Sequence, residues 1–188
     1  MMIFINPGHD LQYDPGAVNN QLGVTEASVV AKIGDLVEKY LEKVGHSVMV
    51  MQSDNLAGED GYSYHYSVCA QANANNCDLF VSLHCNAASF TAKGTECFYY
   101  TGSKRGELLA QCIQDQLIDS INTYDRGIKE SGGLTVLRNT KMPAVLVEIA
   151  FISNQAEAEM LKDANWQDVI ARAIARGITD YIKEVQNE

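Results

Sequence analysis

The residues Asp78-Leu79-Phe80-Val81-Ser82-Leu83-His84-Cys85-Asn86 describe a buried strand that stops at chemistry. The run from Leu79 to Leu83 is short and almost wholly apolar. Strands of that kind are buried on both faces and belong to parallel sheets covered by helices. His84 completes the run, and a histidine there must find a partner for each ring nitrogen, which makes it a candidate metal ligand. If the strand continues, Cys85 points to the opposite side. Asn86 then returns to the side of His84, placed to hydrogen-bond a bound substrate or a neighbouring loop.

Three other segments end in the same way: Ile3-Phe4-Ile5-Asn6-Pro7-Gly8-His9, Thr25-Glu26 and Val145-Leu146-Val147-Glu148. Gly8 lets the backbone turn sharply into His9, and Asp10 either holds the second ring nitrogen of His9 or caps the loop. Glu148 interrupts the apolar run Ala144–Ile152, where a carboxylate is costly unless it is paired or exposed at a strand end. Its structural alternative is a glutamate bonded to backbone amides or to Arg138. Glu26 opens a helix, a place where the macrodipole favours a carboxylate without any functional reason. In open α/β sheets, catalytic and ligating groups gather at the carboxyl ends of the strands. Two histidines and one carboxylate make a catalytic zinc site with an open fourth position, which would leave one glutamate to act as base.

Strands are expected at Met2–Asn6, His46–Met51, Leu79–His84, Thr95–Thr101, Leu134–Arg138 and Val145–Ile149. Helices are expected at about Glu26–Val44, Tyr62–Asn75, Ser103–Asp119, Gln155–Lys162 and Trp166–Val185. In the first helix Val29, Val30, Ile33, Leu36, Val37, Tyr40 and Leu41 recur at helical spacing, with Thr25 as N-cap and Gly45 as stop. This alternation implies an α/β fold, a single domain with a mostly parallel sheet. Asp10–Val24 and Asn122–Gly133 read as irregular segments of the kind that carry function on a rigid scaffold.

The chain has 188 residues, 46% of them hydrophobic, enough for one sizeable core. Fourteen basic against twenty-four acidic residues give a net charge of −10, which argues against nucleic acid and anionic membranes as partners. The five cysteines are odd in number and never form a Cys-x-x-Cys pair, so they read as reduced, buried small hydrophobes. No stretch has the pattern of a signal peptide or the roughly 20 apolar residues of a membrane span. The His-Glu-x-x-His signature, the Gly-x-Ser-x-Gly elbow and both nucleotide-binding glycine loops are missing. A Cys85–His84 nucleophile and base is excluded because adjacent strand residues point apart.

Asn6-Pro7-Gly8-His9-Asp10, Glu26, Ser82-Leu83-His84-Cys85-Asn86-Ala87, Gly94-Thr95-Glu96 and Val147-Glu148-Ile149-Ala150-Phe151-Ile152-Ser153-Asn154 follow one another in this order. Together they make the chain resemble the zinc-dependent N-acetylmuramoyl-L-alanine amidases over nearly its whole length. The resemblance implies a six-stranded, mostly parallel sheet flanked by helices, with one Zn²⁺ at its carboxyl edge held by His9, Glu26 and His84, and Glu148 as the catalytic base. It also implies bacterial peptidoglycan as partner, cleaved between the lactyl group of N-acetylmuramic acid and the L-alanine of the stem peptide.

Two settings fit that activity: a phage-type endolysin released at lysis, or the catalytic domain of a longer secreted autolysin. A negatively charged domain adheres poorly to an anionic envelope, so a separate wall-targeting domain or partner is expected. Asn86 and Arg138 are substrate-binding candidates, and Arg126 is a further cation that could meet a substrate carboxylate. Glu96 is expected to face solvent or to pair with Lys104 or Arg105, with no catalytic role. His46 and His65 are expected at the surface or in packing. The same ligand set would serve a zinc peptidase, which requires a cation placed for a terminal carboxylate. A catalytically inactive wall-binding module would be expected to lack a ligand or the base, whereas all four residues are present.

Overall fold

A computed structural model describes residues 1–58 and 64–187. Six strands form one sheet: β1 (Met2–Pro7), β4 (Ser47–Val50), β5 (Leu79–Asn86), β6 (Thr95–Tyr99), β7 (Asp125–Glu130) and β8 (Ala144–Phe151), in the order β4-β1-β5-β8-β6-β7. The first four of that order run parallel; β6 is antiparallel to β8, and β7 parallel to β6. A small ribbon, β2 (Val18–Asn19) with β3 (Val24–Thr25), leads into α1 (Glu26–Lys43). The remaining helices are α2 (Val68–Ala74), α3 (Lys104–Ile121), α4 (Thr135–Asn139), α5 (Gln155–Lys162) and α6 (Ala164–Gln186).

Alternation along each strand divides the core into two layers. Ile3, Ile5, Val81, Leu83, Val145 and Val147 face α1, α3 and α6. Phe4, Phe80, Ala144 and Leu146 face the opposite layer, against Val68, Cys69 and Ala72 of α2 and Val136 and Leu137 of α4. Both faces of the central strands are therefore covered, which is why they read as near-continuous apolar runs. The second apolar layer ends at Leu146. Beyond it, toward the carboxyl ends of β5 and β8, the same face carries His84, Glu148 and Glu96 instead. The order of the central strands reverses at β1 and β5, the place where an open α/β sheet parts to form a crevice.

The expected parallel sheet is present with one strand exchanged. Leu134–Arg138 is not a strand: Thr135–Asn139 is helical, with Val136 and Leu137 buried against the sheet. The sixth strand is instead Asp125–Glu130, within the segment expected to be irregular. It is an edge strand, and its polar sequence and Gly127, at φ 72°, give little of the buried-strand pattern. The helix expected at Tyr62–Asn75 is a 3-10 turn at Tyr64–Tyr66 followed by α2, interrupted by Ser67, whose side chain caps α2. Tyr62 and Ser63 lie outside the described residues. Among the described residues no helix is long and apolar enough to cross a membrane.

The α3–α6 contact is close enough to exclude a side chain at Gly177, where a Cβ would lie 2.6 Å from Ile113 Cα. Replacing glycine with alanine in a helix gains up to about 1 kcal/mol of propensity. Forcing a methyl into a packed backbone costs about 1–3 kcal/mol. The neighbour here is main chain and cannot swing aside, so Gly177→Ala is expected to lower the urea midpoint. An unchanged or raised midpoint would show that α6 can shift without cost.

Candidate metal centre and active site

Four elements converge at the carboxyl end of β5. The chain leaves β1 at Pro7, turns at Gly8 and places His9 in the left-handed region at φ 64°, uncommon for a residue with a side chain. His9 Nε2 lies 3.0 Å from Glu26 Oε1, and His84 Nδ1 lies 3.0 Å from the same oxygen. The two imidazoles meet edge to face with centroids 5.1 Å apart. Among the described residues these three are the one cluster of three or more such side chains whose donor atoms could share a metal ion.

Glu26 is buried in the first turn of α1, and Thr25 caps that helix through Ser28 N. Its Oε2 accepts from Ala17 N at 2.9 Å and its Oε1 from Cys85 N at 3.0 Å. Burial pushes its pKa up, but the bonds to His84 and His9 outweigh burial and hold the carboxyl well below the usual range. The Glu26 bond raises His9 to about 9, with burial opposing and Asp14 adding to the rise. The opposite shifts of Glu26 and His9 follow from the closeness of this carboxylate and this imidazole.

His9 Nδ1 is bonded to Asp14 Oδ2 at 2.8 Å, an outer contact of the sort that fixes the orientation of a ligating histidine. Of the two roles open to Asp10, the structure gives it the loop cap, with Oδ1 accepting from Gln12 N and Tyr13 N. The sequence reading did not single out Asp14. Its signal was the Asp14-Pro15-Gly16 turn, in which Oδ1 also accepts from Gly16 N.

Two glycines make room for the rings. A Cβ on Gly8 would lie 2.2 Å from His84 Cε1, and one on Gly16, at φ 66°, would lie 2.6 Å from His9 Cδ2 and 2.7 Å from Glu26 Oε2. Gly8→Ala is therefore expected to tilt His84 away from Glu26. Metal titration should find affinity weakened by about 10-fold or more, as for loss of an orienting partner. Wild-type affinity would mean that the ring does not depend on that contact.

Glu148 projects from β8 directly beside His84 of β5 on one side and Glu96 of β6 on the other. Cross-strand partners share a face, so the three form one row. Glu148 Oε2 is buried without a hydrogen-bond partner. Burial first, then the charges of Glu26 and Glu96, raise its pKa to about 8. A carboxyl poised near neutrality beside a ligand cluster is suited to proton transfer.

Glu96 is buried and pairs with Arg126 and Lys129, not with Lys104 or Arg105, because β7 and not the start of α3 borders this part of β6. Lys104 pairs with Glu107. Asn86 Nδ2 donates to Glu96 Oε1, joining it to the same row. Arg138 is exposed on α4. Cys69, Cys77, Cys85 and Cys97 are buried and Cys112 is half-buried, and none is in a disulfide. A separate groove of about 550 Å³, lined by Asn19, Phe90 and Gln155 among others, contains none of His9, Glu26, His84 or Glu148.

A profile of the N-acetylmuramoyl-L-alanine amidases matches residues 3–180. The N-acetylmuramoyl-L-alanine amidase LytC of Bacillus subtilis is 38% identical over 187 residues, covering 96% of this chain and 35% of LytC. The germination-specific N-acetylmuramoyl-L-alanine amidase of the same organism is 33% identical, covering 97% of this chain and 80% of that protein. The crystal structure of N-acetylmuramoyl-L-alanine amidase from Clostridium difficile 630 superposes with a TM-score of 0.83 at 29% identity, over 97% of this chain and 96% of the other. Sequence match, fold and the order of strand-end residues agree, and the chain belongs to the N-acetylmuramoyl-L-alanine amidase family.

Proposed function

We propose that this chain is one catalytic domain that hydrolyses peptidoglycan between the lactyl carbonyl of N-acetylmuramic acid and the L-alanine of the stem peptide, with a metal ion held by His9, Glu26 and His84. The observation that carries this reading is the Glu26 carboxylate between two imidazole nitrogens, with the unpartnered Glu148 oxygen on the neighbouring strand. The donor set fits zinc: nitrogen and oxygen ligands at about 2.0–2.1 Å in a tetrahedron lie about 3.3 Å apart, close to the 3.0 Å separations here. When bound, such an ion supplies Lewis acidity that polarises an amide carbonyl and makes water acidic near neutral pH.

The residues of the chain would do the rest. Glu148 takes a proton from the attacking water and returns it to the alanine nitrogen as the C–N bond breaks, leaving a carboxylate on the lactyl group and an amine on the peptide. Asp14, Ala17 N and Cys85 N hold His9 and Glu26 in place. Asn86 donates one amide N–H to Glu96, and its carbonyl oxygen would accept from a substrate N–H. Arg138, exposed on α4, would serve as an outer substrate contact. With a net charge of −10, attachment to the wall is assigned to another domain or partner.

Treatment with a chelator should abolish release of soluble fragments from purified peptidoglycan, and one equivalent of Zn²⁺ should restore it. Full activity in protein shown to be metal-free would overturn the ligand assignment.

A further inference from the structure

We infer that Arg126 and Lys129 form a carboxylate subsite for the leaving peptide, which selects stems whose residue after L-alanine carries a free carboxylate; the inference rests on the amidase reading above. Both cations come from β7, the edge strand beside β6, and both reach the Glu96 carboxylate. Lys129 is the cross-strand partner of Phe98, two residues along β6 from Glu96 and therefore on the same face as Glu96 and Glu148.

One cation would neutralise a buried carboxylate. Here two reach Glu96, at the rim of the site, in a protein whose net charge is −10. Both head groups are held by contacts to their neighbours. Arg126 donates through Nε to Glu96 and through Nη1 to the Lys93 carbonyl, and its guanidinium lies 5.0 Å from the Phe151 ring centroid. Lys129 lies 5.8 Å from the Phe98 centroid. Their side chains are 32% and 40% exposed.

A lysine carries three donors and an arginine five, so donors remain beyond those given to Glu96 and Lys93. Fixed, part-exposed cations with spare donors are suited to a carboxylate, and Arg in particular to a planar one. They hold Glu96, the cross-strand neighbour of Glu148, so they lie one strand beyond the proposed base, on the side where the peptide leaves and not near the far end of a long peptide. This is the cation near the base that a peptidase would also need, and here it reads the departing peptide of an amidase.

Soluble glycan oligomers carrying stem peptides whose second residue is either a free acid or its amide would be compared by kcat/KM and by end analysis. The acid is expected to be cut about 10-fold faster or more, the usual value of a charge-assisted hydrogen bond. In Lys129→Gln the two substrates should converge, and Lys129→Arg should restore the difference. Equal rates for both substrates in the wild-type protein would overturn the subsite and leave the amidase reading intact. A preference that survives in both Lys129→Gln and Arg126→Gln would also overturn it. Failure to cut either substrate at the lactyl–alanine bond would defeat the amidase reading itself. The wild-type comparison does not depend on how well any variant folds.

Discussion

Glu148→Ala is expected to lower turnover by about 10²–10⁴-fold, the span typical of a lost general acid–base. The change removes a carboxylate that sits beside His84 but is not among the three side chains whose donor atoms cluster. Metal content should therefore stay stoichiometric. It also removes a buried oxygen that has no hydrogen-bond partner, and burying such a group is a cost that folding must offset. The variant should accordingly melt no lower than the wild-type protein. Loss of activity with loss of fold would mean that Glu148 is structural. Wild-type turnover would remove it from the mechanism.

His84→Ala should lose metal and activity together. The remaining donors, His9 and Glu26, form a two-ligand site, and zinc sites of this type need three protein ligands. Glu26 would keep Ala17 N, Cys85 N and His9 but lose one of the two imidazoles that hold its buried carboxyl ionised. Some loss of stability is expected as well. Because ligand residues and metal are coupled, metal analysis after dialysis distinguishes the roles of Glu148 and His84 in a single comparison. A variant that keeps one tightly bound zinc per chain would refute the assignment of His84.

The parts of the fold legible in sequence were those whose burial is two-sided. β1, β5 and β8 have apolar residues on both faces, and the helix that begins at Thr25-Glu26 shows its cap and its spacing. β7 was missed because an edge strand is half solvated. Asp125-Arg126-Gly127-Ile128-Lys129-Glu130 has neither alternation nor an apolar run. Leu134–Arg138 reads as a strand because a run that short does not declare its period; tertiary packing on the sheet settles Thr135–Asn139 as a helix.

The same asymmetry holds for the site. His9, His84 and Glu148 announce themselves as polar endings or interruptions of apolar runs. Glu26 was visible only through family resemblance, because a glutamate on a first helical turn is unremarkable by itself. Asp14 and the Arg126–Lys129–Glu96 cluster depend on a loop conformation and on the pairing of β6 with β7. The Asp14-Pro15-Gly16 turn is a local sign of the first, whereas no local pattern encodes the second.

The proposed site cuts an amide between sugar and peptide. This is tested most directly by digesting purified peptidoglycan and reading the new ends by mass spectrometry. Free lactyl carboxyl groups on the glycan and new L-alanine amino termini are expected, both absent from the Glu148→Ala digest. New ends found only between amino acids would contradict it and make the chain a peptidase.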